Sequence, residues 1–185
     1  MKITLVRHGQ TDFNYEGKIQ GRSNNFLNDE GRRQCKSLRN KLMNQHFDIC
    51  YMSPLVRAVE TAIILIGDRV ETVVDDRLIE RDMGELEGKN RKDYDGIRYW
   101  NYNLNCHDDG VEGIQSIFER CHDFLNYIIK KYPGKDILIV SHGAPVRAMH
   151  HILKKTDLNS NLLDVNVCNC YCETIEFNEN EFMDK

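Results

Sequence analysis

The 185-residue sequence is poor in several things. It has three prolines and no proline-, serine- or glycine-rich stretch, so no low-complexity linker divides it, and no internal repeat is visible. It has no excess of positive charge: 29 acidic residues outnumber 25 basic ones and the formal net charge is −4. A general nucleic-acid binder draws its affinity from a basic surface that neutralises phosphates, so that class is excluded. Any anion must be recognised locally, by a few placed groups. No run approaches the roughly 18 apolar residues of a membrane span; the longest, near Ala62 to Ile66 and Ile137 to Val140, suit core elements. The first residues lack the apolar stretch of a secretory signal and read as a strand starting at once, so a soluble, cytoplasmic protein is the expectation.

Seven cysteines, at 35, 50, 106, 121, 168, 170 and 172, lack the C-x-x-C spacing of a zinc site and are odd in number. A disulfide framework is therefore not expected, and a reducing compartment suits them. Cys168, Cys170 and Cys172 alternate along what reads as an extended segment, which puts three small thiols on one buried face.

The remaining pattern alternates strand and helix. Strands are expected at Ile3 to His8, Phe47 to Ser53, Val70 to Leu78, Asp136 to Ser141 and Cys168 to Phe177. Helices are expected from Asp29 to Asn44 behind an Asn28 cap, and from Pro54 to Ile66 with Ser53 as N-cap and proline at N1. Two more are expected at Ile114 to Lys131 and Ala144 to Lys154. Residues 79–113 have little periodicity and read as an irregular excursion with one short helix at most, the kind of long insertion that often carries function. The fold class is thus α/β: one domain, residues 1–185, built as a three-layer α/β/α sandwich around a largely parallel sheet.

In such a sheet ligands sit beyond the carboxyl ends of the strands. Here the first strand ends in Arg7-His8-Gly9 and the fourth in Ser141-His142-Gly143, while Arg57 stands in the first turns of the helix after the second strand. Two arginines and two histidines at corresponding strand ends make an anion pocket in an otherwise acidic protein. Glycine after each histidine would let backbone N–H groups approach a small ligand, and the helix starting near Ala144 adds its positive end.

Several stretches, in this order, resemble the histidine phosphatase superfamily, also called phosphoglycerate-mutase-like. They are Leu5-Val6-Arg7-His8-Gly9-Gln10-Thr11, Asn14, Gln20-Gly21, Ser53-Pro54-Leu55-Val56-Arg57-Ala58 through Thr61, Leu78-Ile79-Glu80-Arg81 through Gly88, and Val140-Ser141-His142-Gly143-Ala144 through Arg147. The resemblance implies the phosphoglycerate-mutase-like fold and a covalent mechanism. His8 matches the nucleophile that becomes a phosphohistidine; Arg7 and Arg57 match the phosphate clamps; His142 matches a second, protonated histidine that donates to the transferring group; Glu80 matches the general acid/base. Asn14, Gly9, Gln20, Gly21 and Gly143 fall where substrate is bound. Neither a cofactor nor a metal is implied, since placed donors do the work of a metal ion.

Asp82, Glu85 and Glu87 read as solvated or structural, and Glu60 as either an orienting partner of Arg57 or one half of a surface pair. His150-His151 reads as surface or helix residues. Val111-Glu112-Gly113 departs from the family's Gly-Glu-Ser by losing a capping hydroxyl. The implied activity is hydrolysis of a small phosphorylated metabolite, by a monomer or homodimer. The chain's length and His142-Gly143-Ala144 favour the phosphatase branch over a phosphoglycerate-type mutase, and the presence of both His8 and Glu80 favours catalysis over a phospho-ligand-binding regulatory protein. Lys89, Arg91, Lys92 and Arg98 stand among Tyr94, Tyr99, Trp100 and Tyr102 in the irregular segment, either receiving a second anion or forming a solvated lid packed on the core.

Overall fold

The apolar residues of the inner strands occupy both faces, which commits the sheet to burial between two helical layers. In the computed structural model, which describes residues 1–179 and 182, five strands are ordered β3-β2-β4-β1-β5. They are β1 (Lys2–Arg7), β2 (Ile49–Met52), β3 (Thr72–Val74), β4 (Asp136–Ser141) and β5 (Cys172–Glu176). The first four are mutually parallel and β5 pairs antiparallel to β1 at one edge. The helices are α1 (Asp12–Tyr15), α2 (Asp29–Leu42), α3 (Val56–Ile66), α4 (Gly96–Tyr99), α5 (Ile114–Lys131) and α6 (Gly143–Lys154).

Strand alternation divides the core in two. Ile3, Leu5, Ile49, Tyr51, Ile137 and Ile139 face α5 and α6, whose Ile117, Phe124, Leu125, Ile128, Val146 and Met149 are buried with them. Val6, Cys50, Met52, Leu138 and Val140 face α2 and α3, meeting Leu38, Leu42, Ala58, Ala62 and Leu65. This is the expected sandwich. Its register sets the site: β1 pairs β4 with Arg7 opposite Ser141, so His8 and His142 follow side by side, and the His8 N–H closes the ladder on the Ser141 carbonyl at 3.0 Å.

The differences from expectation are local. Helix α3 begins at Val56 with Leu55 rather than Ser53 as N-cap; Ser53 Oγ accepts the Leu55 N–H and meets His142, and the Val56 N–H is taken by Asn24 Oδ1. The third strand stops at Val74: the Asp75 carboxylate takes the Arg77 N–H and turns the chain into a 3₁₀ turn, Asp76–Leu78. The last strand begins at Cys172 rather than Cys168. Cys170 has φ 54°, and the Tyr171 N–H bonds to the Cys168 carbonyl, so residues 168–171 form a turn. The three thiols therefore do not share a face; Cys168 is exposed. Helix α5 starts at Ile114, and its N-cap Gly113 supplies no side-chain cap, as the lost hydroxyl predicts, while Glu112 is tied to Arg120 at 2.9 Å. Residues 79–113 are irregular, with short 3₁₀ turns and one-turn α4.

Candidate active site

A cavity of about 480 Å³ opens beyond the carboxyl ends of β1 and β4. Arg7, His8, Asn14, Gln20, Gly21, Glu80 and Gly143 line it, so seven of the ten residues expected at the site meet there. Residues 79–113 supply part of the opposite wall through Arg81, Met83, Arg91, Tyr94 and Trp100. Of the basic and aromatic residues expected there, Lys89, Lys92, Arg98, Tyr99 and Tyr102 do not line it; Arg98 pairs with Asp108 and Tyr102 packs edge-on to Phe118.

His8 is buried, and its Nδ1 lies 2.7 Å from the Gly9 carbonyl. A carbonyl only accepts, so Nδ1 carries the proton and Nε2 keeps a lone pair. Burial, then the Arg57 and Arg7 cations, push His8 well below the usual histidine value and keep the ring neutral. Nε2 accepts from Arg57 Nε at 3.3 Å.

The arginines are held from behind. Arg57 is fully buried in the first turn of α3, its Nη1 on the Ser23 carbonyl (2.7 Å) and Nη2 on the Gly21 carbonyl (2.8 Å). It stands behind His8 rather than on the cavity wall. Arg7 Nη1 donates to the Val167 carbonyl at 2.6 Å, while its Nε is buried without a partner among the described residues. Burial lowers both guanidiniums to about 10, opposed by Glu80, so both stay cationic near neutrality. A buried donor without an acceptor is costly, and here it belongs to a residue that lines the cavity in a strongly positive setting.

His142 caps α6 and lies 5.1 Å from His8, centroid to centroid. Its Nε2 is 2.6 Å from Ser53 Oγ, and its Nδ1 is buried without a partner among the described residues. Burial, followed by Arg57, His8 and Arg7, pushes it well below the usual histidine value. The ring is thus neutral among these cations, where a protonated one was expected; a bound dianion would oppose those same charges. His142, like Arg57, lies off the cavity wall.

Glu80 sits at the start of α6. Its Oε2 accepts from the Gly143 N–H (3.0 Å), and its Oε1 from the Ala144 and Arg81 N–H groups (3.1 and 2.9 Å). The positive helix end expected to meet a phosphate therefore holds this carboxylate. Gly9 differs from expectation as well. Its N–H donates to Thr61 Oγ1, and a Cβ there would meet the Gly31 carbonyl oxygen at 2.7 Å and Cys35 Sγ at 2.8 Å. Gly9 is thus small because α2 packs against it, and it does not line the cavity.

Asn14 completes a capping box with Thr11. Its Oδ1 also accepts from Asn169 Nδ2 at 3.0 Å, which leaves the Asn14 amide donor turned to other use. Gln20 Oε1 accepts from Thr11 Oγ1 and Asn25 Nδ2. Glu60 orients neither Arg57 nor any site residue: it accepts from Leu27 N–H and Arg32, tying α3 to the start of α2. Glu87 is structural, receiving Arg22 N–H and both Ser23 donors. His150 pairs with Glu173, and His151 is engaged by Thr156 and the Leu162 carbonyl. Among the described residues no group of three or more His, Cys, Asp or Glu is placed to hold a metal ion.

Sequence reasoning did not single out Ser53, Arg81 and Asn169 for the site. Arg81 is 2% exposed and lines the cavity; its Nε donates to the Glu112 carbonyl, its Nη1 to the Tyr99 carbonyl, and its Nη2 has no partner among the described residues. Its signal was adjacency to Glu80. Arg147 also lines the cavity, stacked 4.7 Å from the Trp100 ring and anchored on the Val165 carbonyl.

An α/β sandwich with a parallel core, whose strand ends set two neutral buried histidines side by side among arginines with one of them on the cavity wall, defines a phosphoryl-handling enzyme rather than a nucleotide-binding sheet with a glycine-rich loop. The profile of the histidine phosphatase superfamily, branch 1, matches residues 3–183, and the chain belongs to that superfamily as a phosphoric monoester hydrolase. Phosphoserine phosphatase 1 of Hydrogenobacter thermophilus is 32% identical over 166 residues, covering 86% of this chain and 79% of that protein. A 2,3-bisphosphoglycerate-dependent phosphoglycerate mutase of Rhizobium etli is 30% identical, covering 86% and 83%. The crystal structure of a histidine-to-alanine mutant of Entamoeba histolytica phosphoserine phosphatase with phosphoserine superposes with a TM-score of 0.84 at 27% identity, over 96% of this chain and 91% of that one. Among the described residues no helix is long and apolar enough to cross a membrane.

Proposed function

We propose that the protein hydrolyses a small phosphorylated acid through a phosphohistidine on His8, with no metal in the reaction. The observation that carries this reading is the tautomer of His8: Nδ1 spends its proton on the Gly9 carbonyl, which leaves a neutral, buried Nε2 lone pair between two arginines. In the first step Nε2 forms a bond to phosphorus as the ester P–O bond breaks, and Glu80 gives its proton to the departing oxygen. Arg7 Nε and the Asn14 amide are the donors for the non-bridging oxygens, joined by His142 Nδ1 once the ring turns from behind the cavity wall, while Arg57 withdraws its Nε–H from Nε2 as the bond to phosphorus forms and adds charge from behind. In the second step water attacks phosphorus, Glu80 takes its proton, and the N–P bond breaks. For either step Glu80 must leave the Gly143 and Ala144 N–H groups, which frees them for phosphate.

Arg81, with its unpartnered Nη2, Arg91 and Arg147 supply positive charge on the cavity wall away from His8, which suits a substrate with a second anionic group. Phosphoserine and 3-phosphoglyceric acid, the ligands of the Entamoeba structures, are of that kind. Residues 79–113 act as the specificity segment of a single catalytic unit. The seven free thiols fit a reducing, cytoplasmic setting. Hydrolysis of an aryl phosphate in chelator, lost in His8→Ala, is the expected result, followed by preference for phosphorylated acids over neutral sugar phosphates in a substrate panel. Full activity in His8→Ala would refute the mechanism. Conversion of 3-phosphoglycerate to 2-phosphoglycerate with catalytic 2,3-bisphosphoglycerate, outpacing phosphate release, would replace it with a mutase.

A further inference from the structure

Two of the seven cysteines touch. Cys35 lies on the inner face of α2 and Cys170 in the turn before β5; they are 135 positions apart, yet their Sγ atoms are separated by 3.6 Å. Both are free thiols, Cys35 fully buried and Cys170 half-buried. The left-handed backbone at Cys170 breaks the strand alternation there, and its sulfur meets α2.

Each member of the pair is built into the support of His8. The Cys170 N–H donates to the His8 carbonyl at 3.2 Å. Its neighbour Asn169 donates to the same carbonyl and to Asn14, and Asn169 and Cys168 both line the cavity. On the other side, Cys35 Sγ packs beneath Gly9 and lies 3.6 Å from Thr61 Oγ1, the hydroxyl that receives the Gly9 N–H. Gly9 in turn fixes the His8 tautomer through its carbonyl. A displacement of either sulfur is therefore passed to His8.

We propose that Cys35 and Cys170 are an oxidation site, a dithiol that a hydroperoxide converts into a disulfide and a thiol reductant restores, switching the adjoining active site off and on. The sulfur of Cys170, the less buried residue of the two, takes an oxygen from the peroxide, which breaks the O–O bond and leaves a sulfenic acid with water or an alcohol. The Cys35 thiolate then attacks the Cys170 sulfur, and hydroxide departs and takes up the Cys35 proton as water. In sum two S–H bonds are lost, one S–S bond forms, and the peroxide accepts two electrons and two protons. The hydrogen bond from Cys170 lowers the Cys35 thiol below its ordinary value, which suits it to the attacking role. Burial raises Cys50 and Cys121 to about 12, and the hydrogen bond to Cys35 together with burial raises Cys170 as well, so it is the 3.6 Å contact rather than thiol acidity that singles out this pair.

A disulfide is about 2.05 Å long, so the sulfurs at 3.6 Å must close by roughly 1.5 Å. Turn 168–171 is the side that gives, since α2 is fixed by Leu38 and Leu42 in the core.

The test treats the full-length reduced protein with hydrogen peroxide, followed by alkylation, peptide mapping and assay on an aryl phosphate. The expected result is loss of two of the seven thiols, a mapped Cys35–Cys170 link, and a fall of about tenfold or more in kcat/KM, as ångström-scale misplacement of a reacting group produces, reversed by dithiothreitol. Cys35→Ser and Cys170→Ser each retain their own untreated rate under peroxide, whereas Cys168→Ser loses its rate as the wild type does. A Cys168–Cys170 link, over-oxidation without any link, or equal inactivation of Cys170→Ser would overturn the proposal. So would a mapped Cys35–Cys170 link with unchanged kcat/KM. Only the activity readout rests on the phosphatase reading. If the untreated protein hydrolyses no phosphomonoester, that reading fails, while the peptide map and the affinity for inorganic phosphate before and after oxidation still decide this one.

Discussion

Removing the Ser53 hydroxyl isolates the part played by the residue that holds His142. Ser53 is fully buried between β2 and α3; its Oγ is 2.6 Å from His142 Nε2 and accepts the Leu55 N–H at 3.3 Å. Because His142 Nδ1 already lacks a partner, Ser53→Ala leaves a fully buried imidazole with both nitrogens unpaired. Two buried polar groups, His142 Nε2 and the Leu55 N–H, lose their partner at about 1–3 kcal/mol each. A domain of this size loses roughly 2–4 °C of Tm per kcal/mol, so calorimetry should show a fall of about 4–24 °C. The imidazole also loses the bond that fixes it beside His8, so kcat/KM measured well below the variant's Tm should drop about 10- to 100-fold. A Tm within a degree of wild type together with unchanged kcat/KM would refute the role of Ser53 and the placement of His142 as a donor.

Three further outcomes follow from the geometry. His8 and His142 have folded-state values far below the unfolded one near 6.5, so below that pH the unfolded chain binds more protons than the folded one and stability falls with acid. Each contributes up to about 1.4 kcal/mol per pH unit, so Tm should decline steadily from pH 7 to 5, and His8→Asn should flatten the slope; a pH-independent Tm over that range would contradict their burial as neutral rings. Gly9→Ala places a methyl 2.7 Å from the Gly31 carbonyl oxygen and 2.8 Å from Cys35 Sγ; it should destabilise by about 1–3 kcal/mol in urea titration, and wild-type stability with weakened phosphate binding alone would restore the ligand-contact reading. Asn169→Ala removes the hold on Asn14 Oδ1 and the His8 carbonyl and should lower kcat/KM more than it lowers Tm; the reverse pattern would make it a structural residue only.

The sheet and the two histidines were legible because they depend on local pattern. Apolar runs that end in Arg7-His8 and Ser141-His142 need only a parallel register to bring them together, and β1–β4 pairing supplies it. What was not legible depends on contacts between distant segments. Ser53 has the spacing of an N-cap, and its second contact, with His142 from 89 positions away, has no local signal. Gly9 and Gly143 follow histidines alike, yet one is small for α2 and the other lies at the cavity beside Glu80. The thiol run obeyed period two only on paper, since Cys170 with its positive φ ends the alternation and pairs with Cys35 instead. Arg81 carries no helix or strand period of its own, and its burial beneath Trp100 and Tyr99 follows from the path of residues 79–113.

The most direct test of the account is chemical capture of the intermediate. The protein is mixed with an excess of aryl phosphate, quenched in alkali within a turnover, digested, and mapped by mass spectrometry without exposure to acid. The account predicts one acid-labile phosphoryl group, carried by the peptide containing His8 and absent in His8→Ala. Phosphate on another side chain, or steady turnover with an unmodified His8 under every quench time, would contradict it.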